Sequence, residues 1–425
     1  MLKSIRGCVS PLRRTSQLFL CTLMLVGGLA LSAQAQTFTV LHTFTGGADG
    51  YTPYAGLTLD NAGNLYGTTS EYSGVGGTAF EIKNRNGAWI FNVLSDFYYY
   101  GAGPSIPAGR LVIGPGGTLY GTSFYGGNGA CTELGCGTLY ALRAPQTFCR
   151  SITCPWNVTV EYSFTGPDGN QPFFVDPVFD SAGNIYGSST QGGAYSFGNV
   201  FQLSRTNGQW TATSLHDFDV SDGQFPQSSV TLDGQGNVYG TAYAGGPNNR
   251  GSVYQLTRSG SGWTFNLLYG FPNSSDGNGP VGGLVFDDAG NLYGSTFSGG
   301  ANGGGTVFEL SPSGGGWNFS VLYSFTGTGY NPGPFDTLTL DAAGNLYGTA
   351  YLDGAHGCGS VFELTRNNGN WSYSDLHDFS CGADGAMPVG NVSIDAGGNL
   401  YGTASAGGDG YCRAGGCGTV WEITP

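Results

Sequence analysis

The chain has 425 residues, 78 of them glycine, and its 28 Asp and Glu outnumber 14 Lys and Arg, for a formal net charge of −14. A surface this acidic repels nucleic acid and anionic membranes, which excludes a nucleic-acid-binding protein. After the N-terminal segment no second stretch of about 18 apolar residues follows, so the sequence predicts no membrane span there.

Residues 1–35 have the pattern of a secretory signal peptide. Four basic residues come first, an apolar stretch runs from Leu18 to Leu31, and small residues precede a cleavage point after Ala35. Cleavage would remove those four basic residues and leave a net charge of about −18 on residues 36–425. We therefore expect an exported protein, either secreted, periplasmic or on the cell surface.

From residue 36 onward, a tripeptide of Leu, Ile or Val followed by Tyr and Gly, preceded by Asn or Thr, recurs seven times. Successive copies are 54, 66, 53, 54, 54 and 54 residues apart. Their glycines are Gly67, Gly121, Gly187, Gly240, Gly294, Gly348 and Gly402. A period of this length without helical patterns indicates a β-propeller. Each copy has four strand-length apolar segments, A to D, separated by Gly, Asn, Asp and Pro, which predicts one four-stranded blade per repeat.

The two ends of this region complement each other. The segment Phe38–Phe44 matches a D strand such as Trp317–Phe325, whereas the last copy ends after its C strand. The predicted fold class is therefore all-β, a single seven-bladed β-propeller over residues 36–425, closed by the N-terminal strand in the last blade. Closure of this kind removes two open sheet edges.

Three residue columns recur at fixed positions and indicate packing or turns. The first is the Tyr of strand B, and the second is a Trp of strand D. Aromatic side chains this large are typical of a core. The third is an Asp before the A–B turn, which we interpret as a turn cap, with calcium binding as an open alternative. Its members are Asp60, Asp180, Asp233, Asp287, Asp341 and Asp395.

Eight cysteines remain after residue 35, an even number that favours disulfides in an exported chain. No CxxC motif occurs, so we predict no metal site. Similar spacing, or positions that antiparallel strands bring together, predicts four pairs. They are Cys131 with Cys136, Cys149 with Cys154, Cys358 with Cys381, and Cys412 with Cys417. The second pair lies where the repeat interval lengthens to 66 residues, which indicates a closed insertion.

A search for catalytic motifs finds none of the familiar ones. The chain has no GxSxG, HExxH or GxxxxGK sequence. His42, His216 and His377 share one column of strand D, and a position repeated around the rim is not a single active site. His356 stands alone in a B–C loop. We predict no catalytic residue and no cofactor, while carboxylates brought together from different blades stay open.

The B–C loops differ between copies and carry aromatic residues among Ser, Thr, Asn and Asp. In a propeller these loops share a face with the Asp-Gly-x-x-Pro loops that join strand D to the next strand A. Aromatic rings beside polar groups suit sugar rings or peptide segments. The predicted ligand-binding residues are Tyr72, Phe124, Tyr125, Tyr243, Phe297 and Tyr351. The alternative is that these aromatics only seal the top of the ring.

The string GNLYGT, followed by Gly-Gly, GTVFEL, a strand with Trp and Asp-Gly-x-x-Pro, resembles the GloVer tandem-repeat, or choice-of-anchor, proteins of bacterial exports. The resemblance covers nearly all of residues 37–425 and implies a surface or secreted repeat protein. A weaker resemblance, through the D-x-x-G-N-x-Y turn, is to NHL-like and lactonase-type propellers. Such lactonases hold a channel metal with acidic and Asn ligands, and the A strands here offer no Glu, so the likeness supports the fold alone.

From these observations we expect a monomeric binding or interaction module that recognises extracellular glycan or another protein. Two further classes stay open. One is a carbohydrate hydrolase or lyase whose carboxylates, from different blades, lie about 5–10 Å apart at the channel mouth. The other is a purely structural envelope protein, which would have no ligand.

Overall fold

Each of the seven repeats forms one antiparallel sheet of four strands, in the order A-B-C-D. The computed structural model describes residues 36–425 except 71–75, 99–100, 130, 146–155, 261, 327–332, 368, 411 and 413–414. The predicted signal peptide, Tyr72, Cys149 and Cys154 lie outside the described residues. Residues 36–425 make one compact unit. The predicted all-β fold of seven blades is confirmed.

Strand A is short in every blade, and strand B is almost completely buried. The A strands are Thr58–Leu59, Val112–Ile113, Val178–Phe179, Thr231–Leu232, Val285–Phe286, Thr339–Leu340 and Ser393–Ile394. The B strands are Leu65–Thr69, Leu119–Ser123, Ile185–Ser189, Val238–Ala242, Leu292–Thr296, Leu346–Ala350 and Leu400–Ala404.

Strands C and D form the outer half of each blade. The C strands are Thr78–Arg85, Thr138–Arg143, Asn199–Thr206, Ser252–Ser259, Thr306–Ser313, Ser360–Asn367 and Thr419–Thr424. The D strands are Ala88–Asp96, Asn157–Ser163, Gln209–Asp217, Gly262–Gly270, Gly316–Ser324, Asn370–Asp378 and Thr37–Thr43. A two-stranded ladder pairs Pro104–Ser105 with Tyr125–Gly126, and a 3-10 turn covers Pro115–Gly117. Within the described residues no helix has the length and apolarity needed to cross a membrane.

The N-terminal strand closes the ring, as the sequence predicted. Thr37–Thr43 pairs antiparallel with Thr419–Thr424, with Thr37 opposite Thr424 and Thr43 opposite Thr419. It therefore takes the D position of blade 7, beside strands that come from the other end of the chain. The last blade thus has no unpaired outer edge on its C strand.

The glycine of the repeated tripeptide lies against an aromatic ring of strand C. Gly294 is opposite Phe308 in blade 5, and a Cβ on Gly294 would lie 2.5 Å from that ring and 2.8 Å from Leu284. The ring covers the space that a side chain would need. The other six glycines face Phe80, Tyr140, Phe201, Tyr254, Phe362 and Trp421 in the same way.

The Tyr and Trp columns meet across the interfaces between blades. The indole of Trp371 in blade 6 lies 5.7 Å from the ring of Tyr293 in blade 5, in an edge-on arrangement. Trp89 with Tyr401, Trp156 with Tyr66, and Trp317 with Tyr239 form equivalent pairs. Both columns therefore pack one blade on the next, in agreement with the structural interpretation of the sequence.

The Asp before each A–B turn holds the turn by hydrogen bonds. Asp60 Oδ1 accepts from the amides of Ala62 and Asn64, and Oδ2 accepts from Asn64 Nδ2 and Tyr66 Oη. Burial alone would raise the pKa of Asp60, but these bonds outweigh it and hold the pKa below its usual value. The same bonding recurs in the other blades that have this Asp.

Strand D carries a β-bulge in every blade, because one residue is skipped in its pairing with strand C. In six blades the skipped residue is a Leu that packs into the core between blades. In blade 2 it is Glu161, which accepts hydrogen bonds from Arg143 at 2.7 Å and from the indole of Trp210 at 2.9 Å.

Three disulfides occur at predicted positions. Cys131–Cys136 and Cys412–Cys417 each close a B–C loop, and Cys358–Cys381 joins the start of strand C to the segment after strand D in blade 6. They tie the loops of blades 2, 6 and 7 to their own sheets. The predicted pair of Cys149 and Cys154 lies outside the described residues.

Candidate functional site

The B–C loop of a blade lies beside the D–A loop that enters the same blade. Short antiparallel bridges join the two loops, for example between Asn278 and Ser298 in blade 5 and between Ala386 and Ala406 in blade 7. Equivalent bridges occur in blades 3, 4 and 6, and the ladder of Pro104–Ser105 does the same in blade 2. We call this side of the ring the loop face.

Predicted ligand-binding aromatics on the loop face reach the next blade around the ring. Phe124 in blade 2 packs on Phe173, which enters blade 3, with ring centroids 4.9 Å apart. The ring of Tyr243 lies over Gly279, which leaves no room for a side chain there. Tyr125 is half-buried and 4.5 Å from Phe124. The contacts of Phe124 and Tyr243 join one blade to the next, while sugar or peptide binding by all three residues stays a prediction.

The two remaining aromatics of that prediction point to the channel. Phe297 is only 8% exposed and packs on Phe335, which enters blade 6, at 4.6 Å. Tyr351 lies 5.9 Å from the same Phe335 ring, and its hydroxyl is 3.4 Å from Met387 Sδ in blade 7. Tyr351 therefore belongs to a larger group of rings at the centre of the ring of blades, and Phe297 borders that group.

This aromatic mouth cluster consists of Tyr54, Phe173, Phe174, Phe335 and Tyr351. Phe174 makes edge-on contacts with Tyr54 at 6.1 Å and with Phe335 at 5.2 Å, which connects the entries of blades 1, 3 and 6. Phe174 is buried, and the other four rings are partly exposed. The cluster covers the loop-face end of the central channel with rings from residues far apart in sequence.

Below the cluster, a hydrogen bond near strand A crosses every interface between neighbouring blades. Four are made by the first residue of strand A, whose hydroxyl donates to a carbonyl of the next blade. These bonds run from Thr58 to Leu111, Thr231 to Leu284, Thr339 to Val392 and Ser393 to Leu57. The other three interfaces are joined by Arg110 with Asp176, Asp176 with Ser229, and Gly283 with Thr337.

Arg110 and Asp176 form an ion pair inside the channel. Asp176 Oδ1 accepts from the Arg110 amide at 2.7 Å, and Oδ2 accepts from Arg110 Nε at 3.2 Å. The Asp176 amide in turn donates to Ser229 Oγ at 2.8 Å. Together these bonds join blades 2, 3 and 4, and the carboxylate of Asp176 neutralises the positive charge of the Arg110 guanidinium.

A second carboxylate, Asp336, lies in the same part of the channel. It accepts from the Thr337 amide at 2.6 Å and from the Asn391 amide of blade 7 at 3.0 Å. Burial raises the pKa of Asp336 to about 7, and the negative charge of Asp176 adds to the rise. Close to neutral pH the channel therefore holds one paired carboxylate and one that takes up a proton easily.

The three histidines of the D-strand column are each bonded to the Asp of the following Asp-Gly loop. The distances from Nε2 to Oδ2 are 3.2 Å for His42 and Asp49, 2.8 Å for His216 and Asp222, and 3.2 Å for His377 and Asp384. Tyr162 and Tyr269 bond Asp in the same way in other blades. The column therefore holds the D–A loop in place. His356 is exposed in its B–C loop.

In the part of the chain that the structure describes, no group of three or more His, Cys, Asp or Glu is arranged to hold a metal ion. The site residues that the repeat pattern did not predict are Tyr54, Phe174, Phe335, Arg110, Asp176 and Asp336. One feature of the sequence could have indicated the three aromatic residues. Four residues before strand A, blades 1, 3 and 6 have Tyr or Phe, blades 2, 5 and 7 have Ala or Val, and blade 4 has Gln227. A position with only a structural role would not require this variation.

The protein is a seven-bladed β-propeller. Aromatic rings cover the loop-face end of its polar channel, and the residues that differ between repeats lie near the centre. The chain belongs to the Gloeobacter/Verrucomicrobia repeat family, whose model matches residues 28–234, 73–288, 148–334 and 236–425. The overlapping matches agree with tandem copies of one unit, and the resemblance drawn from the repeated string is confirmed.

Solved structures with a similar fold come from several bacteria. The extracellular domain of a protein assigned as a hybrid two-component system of B. thetaiotaomicron is 14% identical with a TM-score of 0.50, and the match covers 91% of this chain and 42% of that one. A gluconolactonase of Xanthomonas campestris is also 14% identical, with a TM-score of 0.39 over 76% of this chain and 98% of that one. Identities this low show the fold and no activity.

A third similar structure, assigned as an oxidoreductase (glucose dehydrogenase) of Thermus thermophilus, is 15% identical with a TM-score of 0.42, over 91% of this chain and 99% of that one. No protein with a curated function matches the chain in sequence. The residues of the loop face and the channel are therefore the evidence from which we infer a function.

Proposed function

We propose that this protein is an exported binding module whose loop face recognises carbohydrate chains outside the cell. The observation that carries the proposal is the aromatic mouth cluster. Its rings come from the entries of blades 1, 3 and 6 and from a B–C loop, and four of its five rings keep part of their surface exposed. A partly exposed ring held by its neighbours is a suitable platform for the apolar face of a sugar.

The repeat itself does not require these rings. Four residues before strand A, blades 1, 3 and 6 have large aromatics, whereas blades 2, 5 and 7 have Ala108, Val281 and Val389. All three small residues are buried, so an aliphatic side chain satisfies the packing at that position. The large rings therefore add aromatic surface at the channel mouth beyond what closure of a blade needs.

Export is part of the proposal. It is supported by the signal-peptide pattern of residues 1–35 and by three disulfides, which persist in oxidising compartments. The test is expression with the native N-terminus, followed by cell fractionation and N-terminal sequencing. A chain that begins at Gln36 outside the cytoplasm supports export, and an intact Met1 in the cytoplasm contradicts it.

Carbohydrate recognition is tested by a polysaccharide and glycan binding screen of residues 36–425, with a Tyr54→Ala/Tyr351→Ala double variant. We expect the double variant to bind at least about tenfold more weakly, because two stacking surfaces are lost. The matched control is Tyr195→Ala, which removes a tyrosine that is 59% exposed and lies outside the cluster. Circular dichroism and melting curves confirm that the variants are folded.

Three outcomes would contradict this function. Wild-type protein that is folded but binds no polysaccharide would exclude glycan recognition by the loop face. Unchanged binding in the double variant would exclude the aromatic mouth cluster as the site. Loss of binding in Tyr195→Ala alone would exclude the aromatic mouth cluster and move the site to the B–C loop of blade 3.

The channel carboxylates favour a second candidate, a carbohydrate hydrolase or lyase. Carboxylates with different protonation preferences can serve as acid and base, and Asp336 has a raised pKa while Asp176 is paired with Arg110. The hydrogen bonds that Asp176 and Asp336 accept from backbone amides of neighbouring blades favour a structural role instead. Release of reducing ends or unsaturated products from a bound polysaccharide, abolished in Asp336→Asn, would support the enzyme.

A further inference from the structure

A cavity of about 320 Å³ opens along one side of the channel, between the A strands of four consecutive blades, 6, 7, 1 and 2. Its lining residues are Thr58, Leu59, Arg110, Val112, Ile113, Thr339, Val392, Ser393 and Ile394. Leu59, Ile113 and Ile394 are the last residues of their A strands and directly precede the A–B turns. The cavity therefore reaches the face opposite to the aromatic mouth cluster and is distinct from the loop-face site.

The hydrogen-bonding groups of this cavity are mostly acceptors. The hydroxyls of Thr58, Thr339 and Ser393 each donate their proton to a carbonyl of the next blade. A hydroxyl that has donated its proton still offers lone pairs to a ligand. Three acceptors from three blades therefore line one wall, and a ligand that matches them must carry several hydroxyl donors.

The charge of the cavity is balanced before any ligand enters. Arg110 is the charged residue of the lining, and its Nε is bonded to Asp176 at 3.2 Å. Asp336 lies close enough to respond to the charges of both groups. A phosphate or a second carboxylate would add negative charge beside two aspartates, which is unfavourable in a partly buried site. About one-third of the Arg110 side chain is exposed, enough to donate to a neutral oxygen.

The rest of the lining is aliphatic, with Leu59, Val112, Ile113 and Ile394 beside the polar wall. A sugar or alditol presents hydroxyl groups on one side and C–H groups on the other, which fits such a divided surface. The volume is at the lower end of the range for small-molecule sites, so an oligosaccharide does not fit inside. We infer that this channel cavity binds a small neutral polyol, of the size of a monosaccharide or alditol, which enters from the face of the A–B turns.

The first experiment measures binding of D-glucose and D-sorbitol to residues 36–425 by titration calorimetry, with D-gluconate and inorganic phosphate as charged comparisons. The blocking variant is Ile113→Trp, because Ile113 is 38% exposed and a larger ring there fills the cavity without displacing core residues. The matched control is Val321→Trp, on the outer strand of blade 5, where the native residue is 37% exposed. We expect neutral-polyol binding that falls at least about tenfold, a loss of roughly 1.4 kcal/mol, in Ile113→Trp and persists in Val321→Trp.

A second measurement uses the wild-type chain, so it does not depend on how a variant folds. Phenylglyoxal labels arginine, and peptide mass mapping reports the rate at Arg110 and at Arg85, which is exposed at the C–D hairpin of blade 1. We expect D-glucose or D-sorbitol to slow labelling of Arg110 and to leave Arg85 unchanged.

The inference is overturned if neither polyol binds or protects Arg110, if binding persists in a folded Ile113→Trp variant, or if phosphate and D-gluconate bind in preference to the neutral compounds. Loss of polysaccharide binding in the Tyr54→Ala/Tyr351→Ala variant with intact polyol binding would show that the two sites are separate. Failure of one proposal therefore leaves the other standing.

Discussion

Glycine in the middle of a strand normally weakens a sheet, because its backbone loses more freedom and it has no side chain to pack. Here the seven B-strand glycines each lie opposite an aromatic residue of strand C whose ring occupies the empty space. Gly294 and Phe308 show the arrangement most simply, with Leu284, the residue before strand A, on the far side. The most regular feature of the sequence is therefore a packing requirement and tells nothing about a ligand.

We predict that Gly294→Ala destabilises the protein by roughly 1–3 kcal/mol, because the new methyl group overpacks a filled core. The measurement is urea unfolding followed by tryptophan fluorescence. Gly234→Ala, in an A–B turn where a Cβ meets no atom within 4 Å, is the control and should change stability by less than about 0.5 kcal/mol. Equal effects of the two substitutions would refute the packing explanation.

Asp336 and Asp176 are aspartates of one channel that differ in their electrostatic surroundings. Because burial and the charge of Asp176 raise the pKa of Asp336 to about 7, the folded protein holds a proton there that the unfolded chain releases near pH 4. The contribution to stability is complete below pH 4 and is lost as the pH rises toward 7. Asp176, in contrast, is an ion-pair partner of Arg110.

We predict that Asp336→Asn reduces the loss of stability between pH 5 and pH 8, because it removes the group that titrates there. It should also lower the melting temperature at pH 5, because the single side-chain oxygen of Asn cannot accept from the amides of both Thr337 and Asn391. Asp176→Asn should lower the melting temperature at both pH values, because Arg110 loses its partner. Melting curves of the wild type and of both variants at pH 5 and pH 8 test the two predictions. A wild type and an Asp336→Asn variant with parallel pH profiles would show that Asp336 does not titrate in this range.

At the scale of the strand, the bulge in strand D gives every blade the same extra residue. Six blades use it to place a Leu between neighbouring sheets, and blade 2 places Glu161 there. Burial would raise the pKa of Glu161, but hydrogen bonds from Arg143, Trp210 and Thr159 outweigh it and hold the pKa below its usual value. The bulge position of blade 2 can therefore hold a charged carboxylate, because Arg143 of strand C and Trp210 of the next blade donate hydrogen bonds to it.

We predict that Glu161→Gln lowers the free energy of unfolding by roughly 1–3 kcal/mol at pH 7, because the charged bonds to Arg143 and Trp210 weaken. The difference should shrink on acidification, since the wild-type carboxylate is protonated as the pH falls through its lowered pKa. Denaturant unfolding at pH 7 and pH 3 measures this. The control Glu133→Gln, at an exposed site of the same blade, should be neutral, and a pH-independent effect at Glu161 would contradict the account.

At the scale of the whole molecule, stability depends on closing the ring. Thr37–Thr43 supplies strand D of blade 7, and a hydrogen bond near strand A crosses each of the seven interfaces, including that from Ser393 of blade 7 to Leu57 of blade 1. An open ring would expose the C strand of blade 7 and the faces that blades 7 and 1 bury against each other. Loss of one strand therefore affects the whole ring.

We predict that deleting residues 36–44 abolishes the cooperative unfolding transition, whereas moving Thr37–Phe44 to follow residue 424 through an Asn-Gly turn preserves it. Asn207 and Gly208 form such a turn between strands C and D of blade 3, with φ of 54° and 82°. Thr37 is already opposite Thr424, so the permuted chain rebuilds an ordinary C–D hairpin. Calorimetry of both chains provides the measurement, and a deleted chain that melts like wild type would disprove closure by this strand.

The number of blades, the strand order and the closing strand could be predicted because they are properties of a local pattern that recurs every 54 residues or so. The pairing of Cys358 with Cys381 followed as well, since antiparallel strands of one hairpin bring them together. The candidate site could be predicted only in part. Phe297 and Tyr351 were singled out, but their partner Phe335 and the more distant Phe174 were not.

The sequence by itself determined the architecture, because each repeat contains everything needed to specify one blade. Only the tertiary structure decided which residues meet at the centre, such as Tyr54 with Phe174, Arg110 with Asp176, and Asp336 with Asn391. Such contacts join different repeats, at separations of 50 to 120 residues. The physical reason is that these contacts depend on the angle and distance between blades in the closed ring. A local pattern of side chains does not specify either quantity.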